Sequence, residues 1–570
     1  MKALFLIPGL LMLTNVISGQ NRFDILITEI MADPSPQVAL PNYEWIELKN
    51  NSAAPINLQG WRIADAGGQS GPMPDYLLQA GSYIIVCSNS ALSSMSSFGN
   101  SIAVTSFPSL DNDGELIFLK DPSGNIIHAL EYSSEWYGNA LKKEGGWSLE
   151  MIDPASPCNG ASNWKASMDE RGGTPASQNS VYTSNPDLDS PELQNAYVRD
   201  LNIITLVFNE SLDNTSINHL TNYSITDGIF IQSIRAVPPL YREVEIITAT
   251  SLTAGKIYEI TVKGVTDCSG NEIGSKNHAR FGIPSTPVAG DIVINEILFN
   301  PRPNAFDYVE LYNRSDKIFD ASTISLANRN SSQTISSIVS LTTKPYYLFP
   351  GDYIVATTNV ASLSLHYHVK DPNTVMTLPS MPSFPDDKGI AIILNQQGEV
   401  LDELQYDEDW HFKLMSDPEG VALERVDADA ETQNPANWHS ASSTSGYGTP
   451  GYKNSQARMP QPTTALIEVL PSIFSPDNDG LDDIASIHYN MHEPGWMANL
   501  TIFDAAGRPV RSLVRNDLMG RNGYWNWDGL DDKGMKLPAG IYILFTEIFN
   551  LNGKKQVFKK SVVLAARLKN

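Results

Sequence analysis

The 570-residue sequence is poor in cysteine, in cationic side chains and in long apolar runs, and each shortage narrows what the chain does. Three cysteines, Cys87, Cys158 and Cys268, are too few for a disulfide framework, and an odd number leaves at least one thiol unpaired. A Cys87–Cys158 bridge is one pairing the sequence allows without establishing it. None of the three has CxxC spacing, which excludes a metal knuckle of that kind. Lysine and arginine number 39 against 64 acidic residues, a formal net charge of −25. Nucleic-acid binding needs a basic footprint, so that class is disfavoured, as is adsorption to anionic lipid. The charge suits a soluble secreted protein kept dispersed by like-charge repulsion. No stretch reaches the ~20 apolar residues of a membrane-spanning helix. No GxSxG, HExxH or P-loop signature occurs, so hydrolase, protease and nucleotide-binding readings lose their usual signals, and a protein that is not an enzyme is expected.

What is present begins with an N-terminus built like a signal peptide. Lys2 precedes the apolar run 3–13, and the small residues Ser18 and Gly19 place cleavage after Gly19, giving a signal peptide over 1–19. The rest of the chain contains one long pattern twice. Residues 25–34 read ILITEIMADP and residues 292–301 read IVINEILFNP. Each is followed by a second matching strand, with Glu47 in one copy and Glu310 in the other. Leu149-Glu150 answers Leu423-Glu424, Asn163-Trp164 answers Asn437-Trp438, and Gly173-Thr174-Pro175 answers Gly448-Thr449-Pro450. A near-constant offset over some 150 residues marks a duplicated domain.

Short β-branched and aromatic runs alternate with Gly, Pro, Asn and Asp clusters throughout, while no long window keeps helical periodicity. The fold class expected is all-β, with four tandem Ig-like β-sandwich domains after the signal peptide. Asp121-Pro122-Ser123-Gly124-Asn125 and Gln396-Gln397-Gly398 read as equivalent hairpin turns. Linkers are expected at 174–191, 284–290 and 454–464, where Pro, Ser, Thr and Asn gather without strand signal. The domains expected are 22–180, 190–284, 291–455 and 465–570.

The two repeats resemble the lamin-tail domain, an Ig-like sandwich. Glu29 and Glu296 on the opening strand, Glu47 and Glu310 on the next, and Gly60-Trp61 in the first copy carry the resemblance. The second copy lacks that Gly-Trp pair. The unit over 190–284 resembles a bacterial Ig-like domain of the S-layer type, through residues 204–213, 252–258 and 265–271. The last unit resembles the Ig-like domain of the flagellar hook-capping protein and the C-terminal sorting domains of type IX secretion, through Asp504, Gly507-Arg508, Trp527-Asp528-Gly529 and residues 537–542. These resemblances imply a secreted or cell-surface protein whose C-terminal domain engages export machinery.

Candidate chemistry is sparse. Glu29 with Glu47, and Glu296 with Glu310, converge if their strands are neighbours. A carboxylate pair can serve acid/base chemistry or hold a cation. It lacks a nucleophile here, and the resemblance to lamin-tail domains, which are not catalytic, implies hydrogen bonding to backbone or turns. Asp477, Asp479, Asp482 and Asp483 around Gly480 have spacing that suits Ca2+, although His488 stands where an EF-hand needs a bidentate Glu. An acidic turn explains the same residues without metal. Asp528, Asp531 and Asp532 read as a hairpin turn. His366 and His368 would share one strand face but have no third ligand nearby. Trp136, Trp410, Trp525 and Trp527 could stack sugars, against the commoner role of Trp in a core. The function expected is a secreted structural or adhesive protein that binds a surface protein or glycan. The alternative is an accessory component of an extracellular hydrolase acting on nucleic acid, phosphate esters or polysaccharide.

Overall fold

The computed structural model describes residues 20–565 except 413–414, 416, 458–465, 477–481 and 483. It is all-β, and the helices among the described residues are short, of three to seven residues. Residues up to Ser251 together with Tyr258–Phe281 form one compact unit, and Leu252–Ile257 with the chain from Gly282 onward form another.

In the first unit a six-stranded sheet runs in the order Trp164–Ala166, Leu149–Met151, Ile25–Met31, Trp45–Asn50, Tyr83–Ser88, Ser101–Val104. All neighbours are antiparallel except the last pair. A three-stranded sheet, Arg62–Ala64, Leu116–Lys120 and Ile126–Glu131, covers its inner face, and Ile27, Trp61, Ile84, Ile117 and Leu149 share the core. Strand Ile25–Met31 is buried along its whole length. Near-continuous apolar sequence is what a strand covered on both faces requires. The outer face packs Met31, Trp45, Ile85 and Cys87 against Leu40 and Met95.

The second unit repeats this layout. Its six-stranded sheet runs Trp438–Ser440, Leu423–Arg425, Ile292–Leu298, Tyr308–Asn313, Tyr353–Thr357, Val375–Thr377, again with only the last pair parallel. A four-stranded sheet covers the inner face. The hairpin turns sit where the sequence puts them. Asp121 accepts from the Ser123 and Asn125 amides, and Gly124 (φ +86°) and Gly398 (φ +79°) take left-handed conformations that disfavour a side chain. Beyond the first repeat lie a four-stranded and a three-stranded sheet over residues 193–281. Beyond the second lie a three-stranded and a five-stranded sheet over residues 466–564.

Two expectations change. The stretch 174–191 is not a free linker, and neither is the start of 454–464, where Asn454 and Gln456 are buried and Ser455 and Gln456 donate to Glu424. Thr174, Asn179 and Val181 are buried against the outer face of the first sheet, and the Thr183 and Asn185 amides bond to Ile152 O and Asp153 Oδ2. The disulfide joins Cys158 to Cys268, not Cys87 to Cys158, with Cα atoms 6.3 Å apart. Cys158 lies on an irregular loop beside the Asp267–Asn271 turn, whereas Cys87 is sealed in the outer-face cluster. Burial pushes the Cys87 thiol up to about 11.

Candidate functional site

The paired glutamates become a ladder of three. Glu29 stands opposite Glu47 on one neighbouring strand and opposite Glu150 on the other. Glu296 likewise stands between Glu310 and Glu424. All six are completely buried on the outer face. A bulge inserts one residue before each central glutamate, between Ile27 and Glu29 and between Ile294 and Glu296. The amides it frees are capped by His128 Nδ1 (2.9 Å from Ile27 N) and Asp402 Oδ2 (3.0 Å from Ile294 N). Burial holds His128 neutral, its pKa pushed down to about 3, so the ring accepts this bond at ordinary pH.

Like charges opposed across strands are destabilising, and buried carboxylates without partners more so. Hydroxyls on the sheet and the tails that begin at the Gly-Thr-Pro motifs meet most of this demand, while Glu47 Oε2 keeps no partner. Glu29 Oε1 accepts from the Ser148 hydroxyl (2.5 Å) and the Thr174 amide (2.8 Å). Glu150 accepts from the Thr174 hydroxyl (2.9 Å), the Ser180 hydroxyl (2.7 Å) and the Val181 amide (3.1 Å). In the second repeat Glu296 accepts from the Tyr308 hydroxyl and the Thr449 amide (2.9 Å). Glu424 accepts from the Ser455 hydroxyl and the Gln456 amide, each at 2.8 Å. Ser148 is replaced by Ala422 and Trp45 by Tyr308, so one hydroxyl donor is exchanged for another on a different strand. The tail glycines leave no room for a side chain. A Cβ on Gly173 would lie 2.8 Å from Glu29 Oε1, and one on Gly448 would lie 2.6 Å from Tyr308 Oη.

The Thr449 hydroxyl lies 2.7 Å from Glu296 Oε2 and 2.9 Å from Glu424 Oε1. It has a single proton and cannot donate to both, so one carboxyl is protonated. Burial first, then the neighbouring glutamate, raises Glu29 and Glu296 each to about 8. The same causes raise Glu47 and Glu310 well above the carboxylate range. These groups are sealed under the tails, so the ladders are fastenings and their chemistry is proton sharing.

Asn179 and Asn454 occupy equivalent tail positions, with Nδ2 donating to Thr28 O and Asn295 O. In the second repeat Asn295 Nδ2 donates to both Glu310 (2.7 Å) and Asn454 Oδ1 (2.6 Å). In the first repeat the shorter Thr28 reaches only Glu47 (2.8 Å), and Asn179 Oδ1 is left without a donor.

One further carboxylate group, which the sequence reading missed, lies beside the disulfide. Asp187, Glu210 and Asp267 place ligand oxygens all within 4.8 Å of one another. Asp187 and Glu210 edge a cleft of about 670 Å³ that Asp113, Glu115 and Glu131 also line. An oxygen-only set is the donor chemistry of hard divalent cations. Burial, then Asp187 and Asp267, raise Glu210 to about 8. The three come from separate segments, so no spacing in the sequence announces them.

The remaining candidates resolve individually. Asp477, Asp479 and Asp483 lie outside the described residues; Asp482 is exposed, and its carbonyl accepts from the Ser475 amide. Asp528 and Asp531 accept backbone amides two residues on, from Leu530 and Lys533, the behaviour of a turn, and Asp532 accepts from Ser512 on strand Pro509–Met519. His366 ends a helix instead of lying on a strand, and His368 packs on Tyr452. Trp525 and Trp527 are core residues against Tyr489, Phe474 and Tyr542, which removes them from any sugar platform. Trp136 and Trp410 are half-buried.

No helix among the described residues is long and apolar enough to cross a membrane. No curated protein matches the chain. The N-terminal part of the bacterial S-layer protein SbsC is 16% identical over 29% of this chain and 40% of its own, with a TM-score of 0.16. A DUF4876 family protein from Bacteroides thetaiotaomicron is 15% identical over 30% of this chain and 63% of its own, TM-score 0.15. A Ca2+-stabilized adhesin of an Antarctic bacterium is 8% identical over 95% of this chain and 99% of its own, TM-score 0.12. The chain thus spans less than two thirds of the first two. TM-scores at this level do not establish a shared architecture. Residues 19–134 match the family model LTD, Lamin Tail Domain, a stretch that carries Glu29 and Glu47 and stops short of Glu150 and the Gly-Thr-Pro tail.

Proposed function

We propose that the chain is an exported, surface-attached structural and adhesive protein. The observation that carries this reading is the doubled glutamate ladder. Each repeat commits three buried carboxylates and its own tail to holding one sandwich closed, with no ladder carboxylate open to solvent. The Cys158–Cys268 disulfide adds a covalent tie between the loops of the first repeat and the sheets that follow it. Such construction suits a scaffold that keeps its shape outside the cell, where disulfides persist.

In this reading lamin-tail-type sandwiches occupy 22–180 and 291–455, an Ig-like spacer occupies 190–284, and 465–570 is an export and attachment domain. The basic end supports the last assignment. Glu547 is the final acidic residue, and Lys559 and Lys560 beyond it are exposed. The carboxylate spacing of Asp477, Asp479, Asp482 and Asp483 supports a Ca2+ loop at the start of that domain. Millimolar Ca2+ then raises its melting temperature, and Asp479→Ala removes the rise. The test of the whole reading is antibody labelling of intact cells of the native host. The full chain should label at the surface, and a chain lacking 465–570 should be folded but held in the periplasm. Normal surface labelling of the shortened chain would reduce that domain to another spacer; absence of the full chain from the surface would remove the reading.

A further inference from the structure

Each repeat carries a cleft at the same place. In the first, Leu116 pairs with Glu131; in the second, Ile390 pairs with Gln405, and 390 − 116 = 405 − 131 = 274. Tyr132 Oη donates to Asp111 O at 2.8 Å and Tyr406 Oη donates to Pro385 O at 2.9 Å, again 274 apart at both ends. A short 3-10 turn then brings Trp136 and Trp410 to the two clefts, each packing partly on its own core. The scaffold is shared and the linings are not. Gln405 stands where the first cleft has Glu131, Lys388 where it has Gly114, and Gln433 where it has Asn159.

We propose that the cleft of the second repeat binds a neutral oligosaccharide, with Trp410 as a stacking surface and Gln333, Gln405 and Gln433 as readers of hydroxyl groups. This deepens the surface reading by naming a ligand class. The cleft holds about 590 Å³, within the usual range of small-ligand sites. A pyranose ring has an apolar C–H face bounded by hydroxyls. An indole covers such a face, and a planar amide, with two donors and one acceptor oxygen, spans neighbouring hydroxyls that both donate and accept. The three glutamines are exposed. Gln433 Nε2 is held by Glu403 O at 2.7 Å, which fixes the amide plane. Charge in the lining is balanced. Arg329 is occupied by both oxygens of Glu403 (2.9 and 2.7 Å), and Lys388 stands opposite Asp407 across the strand pair. That balance favours a neutral ligand over an acidic or basic one. The acidic cleft of the first repeat lacks the glutamines and is an internal control.

The test is calorimetric titration of the full mature chain with cellohexaose, xylohexaose, mannohexaose and maltohexaose, and with hexagalacturonate as the acidic arm. At least one neutral hexaose should bind with Kd below about 1 mM, and more tightly than hexagalacturonate. Trp410→Ala should abolish binding. Because Trp410 also packs on the core, the exposed pair Gln333→Ala with Gln405→Ala carries the decision. It should weaken binding about tenfold through lost hydrogen bonds. Trp136→Ala should leave affinity unchanged. Binding of no neutral hexaose, preference for hexagalacturonate, or unaltered affinity in the glutamine double variant would each overturn the proposal. Surface labelling of cells is a separate readout, so a negative titration removes the cleft and leaves the scaffold reading standing.

Discussion

Replacing Glu296 by Gln should cost little at pH 7 and should flatten the pH dependence of the second repeat. In the ladder Glu296 Oε1 accepts from Tyr308 and the Thr449 amide, while Oε2 faces the Thr449 hydroxyl. A Gln amide reproduces a protonated carboxyl there: its oxygen keeps the two donors, and its NH2 donates to Thr449 Oγ1, freeing that hydroxyl for Glu424. In the wild type the Glu296 pKa is raised from an ordinary 4.5 to about 8. The folded state therefore binds more protons than the unfolded state between those values. The stabilisation is complete below about 4.5 and is lost as pH rises through about 8. Its slope is about 1.4 kcal/mol per pH unit, which for a domain of this size moves the melting temperature by roughly 3–6 °C per unit. Scanning calorimetry of wild type and Glu296→Gln at pH 5, 6, 7 and 8 isolates this contribution. The general repulsion of an acidic chain is common to both and cancels in their difference. Glu296→Ala, which leaves Tyr308 and the Thr449 amide without an acceptor, should cost about 3–5 kcal/mol. Parallel pH profiles for wild type and Glu296→Gln, or an equal cost for Gln and Ala, would refute the shared proton.

Thr28→Asn should stabilise the first repeat by about 1–2 kcal/mol, by giving Asn179 Oδ1 the donor that Asn295 gives Asn454; thermal melts at fixed pH read it. Gly448→Ala should destabilise the second repeat, since its Cβ meets Tyr308 Oη at 2.6 Å, and a lowered melting temperature relative to wild type reads it. Cys158→Ala removes a crosslink between residues 110 apart and should cost about 2–5 kcal/mol, with non-reducing peptide mapping confirming the Cys158–Cys268 pair in the wild type.

Much of this was legible in the sequence, because burial on both faces of a strand leaves a mark. The apolar runs around Glu29 and Glu296, the adjacent glutamates at 47 and 310, and the Gly-Thr-Pro tails are all visible as a repeat. Their use in hydrogen bonding, not catalysis, is what the resemblance to lamin-tail domains implies. The third rung was not legible. Glu150 and Glu424 reach the ladder only through strand pairing across more than a hundred residues, which a local pattern does not encode. The tail composition of Pro, Ser and Thr imitates a linker because its hydroxyls serve buried carboxylates instead of water. Parity told only that one cysteine is unpaired. Which one depends on Cys87 facing a sealed cluster and Cys158 a loop. The acidic group of Asp187, Glu210 and Asp267 belongs to the same class of long-range meeting.

Hydrogen exchange tests the central claim, that buried glutamate ladders fasten each tail into a rigid sandwich, most directly. The amides of Thr174 and Val181 donate to Glu29 and Glu150, and those of Thr449 and Gln456 donate to Glu296 and Glu424. Peptides covering 174–183 and 449–456 should exchange as slowly as strands Ile25–Met31 and Ile292–Leu298, and should lose that protection in Thr174→Val and Thr449→Val chains. Exchange of the wild-type tails at the rate of exposed loops, with the central strands still protected, would contradict it.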